Sequence, residues 1–439
     1  MLKFWIDCVL ATIFVFAVLW GLFRLTELSV LNALDPISQA LEDVELTDYA
    51  FSKLRIAEPP IDTNIVIVNT GYLSRAEIGQ QIRVLSQFNP KLFALDIIFS
   101  CDGGLTDSIN CPQRYDTLGN LLFADAIANA GTVVMANKLW QSSRALKASN
   151  KDDAAVYDSL EHTDEDLRLN SLEGFVNLPT GAEHQEDLKV CRSVIPAIQV
   201  GNKTELAFAV KVAQAYDSVV TNRFLSRGKE EEIINYRGNI VDWHGASTYP
   251  GRYIVLDWDQ ALDPSKFTPG LIKDKIILMG FLGGDLRDTS WDDKFFTPLN
   301  KIFAGRARPD MYGVVVHANI ISMILESDYI DELMQWEQIA IAIIICFLNV
   351  ALFSFIFKTI PIWFDTVTVG LQLVQLLLFA VLVPYIFYWF NFKLEITLAL
   401  ATLALAGPCF EIYISIIKAG AKYFKKRIRL TKQRKKVLT

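Results

Sequence analysis

The chain has 439 residues, 52% of them hydrophobic, and a mean hydropathy of +0.28. Soluble domains seldom average above zero, which argues against a wholly soluble protein and places part of the chain in lipid. The net charge of −7 conceals an asymmetry: ten of the 42 basic residues fall between Lys418 and Lys436, and no acidic residue lies beyond them. An acidic body with a basic end argues against nucleic acid as a partner and fits a membrane protein whose basic end faces the cytoplasm.

The first apolar run, Phe4 to Phe23, is flanked by Lys3 and Arg24. About 20 apolar residues cross a hydrocarbon core of ~30 Å. The run ends in Trp20-Gly21-Leu22-Phe23, a poor cleavage site, so residues 1–24 are expected to form an uncleaved transmembrane helix. Residues 25–332 carry recurrent charges, Gly and Pro and form one extracytoplasmic block. Three further spans are expected at 336–357, 362–388 and 394–417, followed by a basic cytoplasmic tail, 418–439. Counting back through four spans puts both termini inside.

Within the outer block, Thr63–Thr70 is a strand. Ser74–Phe88 is a helix opened by Ser74 with Glu77 three residues on. Lys91–Ser100 is a second strand, Asn120–Gly131 a helix and Thr132–Leu139 a third strand. Trp140–Asp166 reads as an exposed polar loop. Later come a helix in "KTELAFAVKVAQAY", a strand in "EEEIINYRG", a strand and turn in "DKIILMGFLGG", and a turn into a helix in "YGVVVHANIISMILES". Strand, helix and strand at this spacing predict an α/β fold with a largely parallel or mixed sheet. Cys101 and Cys111 bracket a polar loop that a disulfide could close, and a pairing with Cys191 stays open.

The ordered series "IVIVNTGYLSRAEIG", "KLFALDIIFS", "ADAIANAGTVVMANKL", "GFVNLPTG", "CRSVIP", "INYRG", "LIKDKIILMGFLGGDLRD", "KFFTPL" and "YGVVVHANIISMIL" resembles the type-two CHASE domain, a sensory module associated with cyclases and histidine kinases. It covers roughly Asn64 to Tyr329. The resemblance implies an extracellular sensory domain, with three spans after it. The family usually carries aspartates after the first strand, where this chain has Asn69-Thr70-Gly71. No cyclase, kinase or phosphodiesterase output is expected in the residues after Ile417.

Candidate ligand-binding residues are Asp96, Asp285, Arg287, Asp288 and His317. Asp96 lies inside an apolar strand, where a buried carboxylate needs a partner, and Arg237 or Arg192 could supply one. Asp285, Arg287 and Asp288 follow a glycine-rich strand end, the edge at which open α/β sheets bind ligands. His317 sits at a turn into a helix. His162, His184 and His244 lack ligand spacing, so no metal and no cofactor is expected. No nucleophile motif points to an enzyme. Gln372 and Gln375, three apart inside a span, are expected to bond across helices.

These features predict a sensory or regulatory protein of a bacterial inner membrane. Its outer domain would bind an extracytoplasmic ligand or protein and signal through its helices to a cytoplasmic or membrane partner. A structural docking subunit of an envelope complex is the alternative, and an enzyme centred on Asp96, Asp288 and His317 a further one. Membrane lipids are expected to contact the spans and the basic tail, and homo-oligomerisation stays open.

Overall fold

The computed structural model describes residues 2–26, 45–55, 59–100, 115–140, 157–179, 190–241, 251–302 and 308–437. Two compact units emerge, one of Met1–Glu42 with Asp331–Thr439, the other of Asp43–Ile330. Cys101, Cys111, His184 and His244 lie outside the described residues, whereas Cys191 is a buried free thiol.

The second unit is built on a seven-stranded sheet of β1 (Ile65–Asn69), β2 (Leu92–Leu95), β3 (Val133–Trp140), β4 (Ser159–Glu161), β5 (Leu172–Phe175), β6 (Ile254–Leu256) and β7 (Ile276–Gly280). The order is β6-β1-β7-β2-β3-β4, with β5 also paired to β3. All pairings are parallel except β3 with β4. The five residues of β1, the four of β2 and the five of β7 are all buried, as parallel strands covered on both faces must be.

One face packs on α2 (Arg75–Ser86) and α3 (Thr117–Asn129), joining Val66, Val68, Phe93, Leu95, Val133, Met135, Ile277 and Met279 to Ile82, Leu85, Phe123 and Ile127. The predicted capping box forms: Ser74 Oγ accepts the Glu77 amide, and Glu77 accepts the Ser74 amide. The other face meets α4 (Phe208–Tyr216) and α6 (Gly313–Glu326), with α5 (Ser218–Leu225) beside them. From Gly313 to Ile324 every residue of α6 is buried. A helix apolar all round is a core helix or a membrane span, and its 14 residues reach only ~21 Å, too short to span.

Three expectations change. Lys203–Leu206 is not helical; it pairs with Ala197–Val200 across a two-residue Gly201-Asn202 turn, and α4 begins only at Phe208. Gly201 at φ +61 supplies the left-handed turn residue that a helix prediction ignores. In "EEEIINYRG" only Glu232–Ile233 is strand. The expected loop 140–166 contains β4.

Membrane-length helices make up the other unit: α1 (Leu2–Thr26), α7 (Gln335–Thr359), α8 (Phe364–Phe390) and α9 (Thr397–Val437). Their apolar stretches run Phe4–Arg24, Gln335–Thr359, Pro361–Phe390 and Thr397–Ile416. Cys8, Ala11 and Val15 of α1 pack with Cys346, Val350 and Phe353 of α7 and Ala406, Cys409 and Phe410 of α9. Pro408 has no N–H, so the Ala404 carbonyl of α9 loses its usual helical donor. Gln372 of α8 reaches across to repair this, its Nε2 at 2.7 Å from Leu403 O and 3.3 Å from Ala404 O. Gln375 makes no such bond; its buried Oε1 has no partner.

Gly280 fixes how closely α6 approaches the sheet. A Cβ there would stand 2.8 Å from Val314 Cβ and 3.4 Å from Asp96 Cβ. Gly280→Ala should therefore push α6 away and destabilise the outer unit by about 1–3 kcal/mol, the usual cost of overpacking. Thermal unfolding of the detergent-solubilised protein measures this; an unchanged midpoint would show that α6 yields freely.

Candidate functional site

The C-terminal edge of the sheet gathers the ends of β1, β7 and β2, and Asn69 organises it. Asn69 is fully buried. Its Nδ2 donates to Asp257 Oδ1 at 2.8 Å and to Gly283 O at 3.2 Å. Its Oδ1 accepts the amides of Gly71 and Leu282, each at 2.9 Å. An aspartate could accept these amides but could not donate, and it would face the Asp257 carboxylate. The asparagine where the family usually has an acid thus has a structural reason here.

The loop after β7 spends its acids on itself. Asp288 accepts the amides of Gly284 (2.7 Å) and Ser290 (2.8 Å), which hold its pKa below the usual carboxylate range. Asp285 accepts the Arg287 amide at 2.7 Å. Gly283 turns at φ +92, and a Cβ there would stand 2.3 Å from Asp288 Cβ. Arg287 is exposed. Asp285 and Asp288 therefore build the turn the sequence predicted.

Asp96, one residue past the end of β2 and not inside the strand as expected, is brought together with His317 of α6. The Nε2 of His317 stands 3.8 Å from Asp96 Oδ1, too far for a hydrogen bond, with side-chain exposures of 4% and 11%. His317 Nδ1 has no partner, and Phe208 packs edge-on against the ring at 5.3 Å. Neither expected arginine reaches Asp96. Arg237 pairs with Asp328 at 2.6 Å and Arg192 with Asp48 at 2.6 Å, both acids lying in segments that carried no strand or helix signal. Desolvation pushes Asp96 up to about 7 and His317 down to about 4, since burial without compensation disfavours each charged form.

Asp293, which the sequence reading passed over, belongs to the same site. It sits at the solvent-exposed rim in a left-handed conformation (φ 54), its carbonyl accepting the Gly313 amide at the start of α6. Local desolvation and the Asp96 charge raise its pKa. Beside it stands Tyr312, whose hydroxyl is pushed up by desolvation and then by Asp288, Asp293, Tyr72 and Asp292. Tyr72, Phe281 and Tyr312 form an aromatic row, with ring centres 5.4 and 6.3 Å apart. The adjacent acids in "SWDDKFF" were the one sequence signal for this rim. Among the described residues, no cluster of three or more potential ligands could hold a metal ion.

Residues 10–353 match the CHASE2 domain. The chain belongs to the CHASE2 family. CHASE2 domains are sensory domains, and the match runs from within α1 through the α/β unit into α7. No curated protein and no solved structure matches the chain.

An unpaired buried carboxylate costs stability once ionised. The folded pKa of Asp96, about 7, lies above the ordinary ~3.9, so wild type loses stability as pH rises from about 4 to 7. His317, lowered to about 4, contributes with the opposite sign between about 4 and 6.5. It is present in both proteins, so comparison with Asp96→Asn reads the acid together with its effect on Asp293. The variant should be more stable than wild type at pH 8 by about 1–3 kcal/mol and converge with it near pH 4. Melting curves across that range test this; a variant less stable at pH 8 would mean that Asp96 is paired after all.

Proposed function

We propose that this CHASE2 protein is a multi-pass sensor of a bacterial inner membrane. Its α/β unit lies outside, both termini lie in the cytoplasm, and a conformational signal passes from the Asp96–His317 site to a separate inner partner. The observation that carries this reading is the chain path leaving the site. The helix bearing His317, α6, ends at Glu326 with Ser327 in a left-handed cap. Four residues on, Asp331–Glu332 pairs in parallel with Phe392–Lys393, at the head of α9. Two contacts brace this junction: Gln338 donates to Glu395 at 3.0 Å and Lys393 pairs with Glu395 at 3.3 Å. From there α9 runs unbroken for 41 residues, through the apolar stretch and into the basic tail.

The backbone of the tail continues the span, because propagating a formed helix adds one bond per residue without a new nucleation cost. Residues 417–437 extend ~30 Å beyond the apolar stretch, far enough to present basic charge to an acidic partner or to anionic lipid. A ligand that prefers one arrangement of the outer site shifts the population of junction and tail states.

Single cysteines introduced at Tyr72 and Gln433 test the orientation. An impermeant thiol reagent on intact cells should label position 72, and position 433 only after permeabilisation. Labelling at 433 in intact cells would invert the topology and remove the reading.

A further inference from the structure

The Asp96–His317 site has a chemical bias that narrows what it can sense. Its deepest groups are a carboxylate and a neutral imidazole, neither of them hydrogen-bonded by the other. Among the described residues, no arginine or lysine forms an ion pair with Asp96, and burial raises its pKa. Around the rim stand Asp293 and Asp292, both exposed, and Asp288. At this rim the Lys294 ammonium lies over the Tyr312 ring, 4.5 Å from the centre. The aromatic row of Tyr72, Phe281 and Tyr312 flanks these acids. Carboxylates beside aromatic faces are the chemistry that recognises organic cations. An ionised buried carboxylate needs a cation with hydrogen bonds to offer, and a neutral histidine offers a lone pair to the same donor.

We propose that the site binds a small organic cation through a primary ammonium group, held by Asp96 and Asp293, with His317 Nε2 as the third acceptor. This deepens the sensory reading above and rests on it. An ammonium supplies three N–H donors, matching two carboxylates and one imidazole nitrogen. Bound ammonium favours ionised Asp96, so binding takes up no proton above pH 7 and must displace one below it. The groups facing the bound nitrogen are Asp96 just after β2, His317 from α6, and Asp288, Asp292, Asp293 and Lys294 from the segment before Tyr312. Of these, Asp96 and Asp293 are the acids pushed up into the neutral range, by desolvation and, for Asp293, also by the Asp96 charge.

The experiment uses the full chain in detergent or nanodiscs, with propylammonium and putrescine as probes. Tetramethylammonium, propanol, Mg²⁺ and Ca²⁺ are the controls, and the readouts are calorimetry and thermal shift. The expected result is saturable binding of the primary ammonium probes, at least about tenfold tighter at pH 8 than at pH 6. Asp96→Asn should weaken it at least about tenfold, and Asp293→Asn, a change at the exposed rim, should weaken it less. Tetramethylammonium, with no N–H to donate, should bind more weakly than propylammonium. Equal binding of tetramethylammonium, binding of the divalent ions alone, or no binding of any probe would each overturn the ligand class. The labelling rate of a cysteine at Gln433 separates this from the sensory reading. If Asp96→Asn alters that rate while no ammonium binds, the ligand class falls and the sensor stands. If ammonium binds and the rate is unmoved by probe or variant, the site stands as a binding site and the sensory reading falls.

Discussion

The insertion of β7 between β1 and β2 is the constraint on which the outer unit depends. β7 is the last long strand in the chain, yet it sits centrally in the sheet, bonded to β1 along five residues and to β2 along four. The sheet therefore cannot close until residues more than 180 apart have met, a topology that folds slowly and cooperatively. The same insertion has a functional consequence. It delivers the loop after Gly280 to the edge where β1 ends in Asn69 and Asp96 follows β2. It also puts a glycine where α6 must pass, and this brings His317 over Asp96.

That edge contains two kinds of polar residue with opposite thermodynamic signs. Asn69 has every donor and acceptor used and ties three chain segments together, so it contributes rigidity. His317 is nearly as deeply buried, Asp96 is partly buried, and the two have no hydrogen bond to each other. Native interiors rarely leave such groups unsatisfied, and the exceptions concentrate where a ligand, a proton or a conformational change completes them. The adjacency of a rigid hub and an unsatisfied pair suits a sensor. The hub keeps the site's geometry, while the pair supplies the free-energy difference that an incoming group can relieve.

Much of the fold was legible in the amino-acid sequence because its signals are local. The strands β2 and β7 and the first four residues of β1 are apolar runs, α2 carries its capping box, and the four membrane-length helices follow from hydropathy. The departures arise where a local signal competes with a distant one. Lys203–Leu206 has helix-compatible composition, but the Gly201-Asn202 turn and the partner strand Ala197–Val200 decide its conformation. Asp96 was recognisable as a buried acid, but not its neighbour. His317 lies 221 positions away, and the two arginines that looked suitable are satisfied by Asp48 and Asp328. Asp293 escaped notice because its importance comes from the left-handed turn that places it at the start of α6, which no residue pattern announces. The tail's own composition does not show that its helix is continuous with the span; its helicity is inherited from the span before it.

If the protein senses as proposed, the state of the Asp96–His317 site is coupled to the junction at the head of α9. Hydrogen exchange measures this coupling directly, because the Asp331 amide donates to Asn391 O at 3.1 Å and the junction strands report opening of that contact. Exchange of peptides covering residues 328–334 and 388–400 would be compared between wild type and Asp96→Asn at pH 8. The account predicts a change in protection at both junction segments, with α1 peptides unchanged. A difference confined to the sheet edge around residues 90–100 and 278–320 would contradict it.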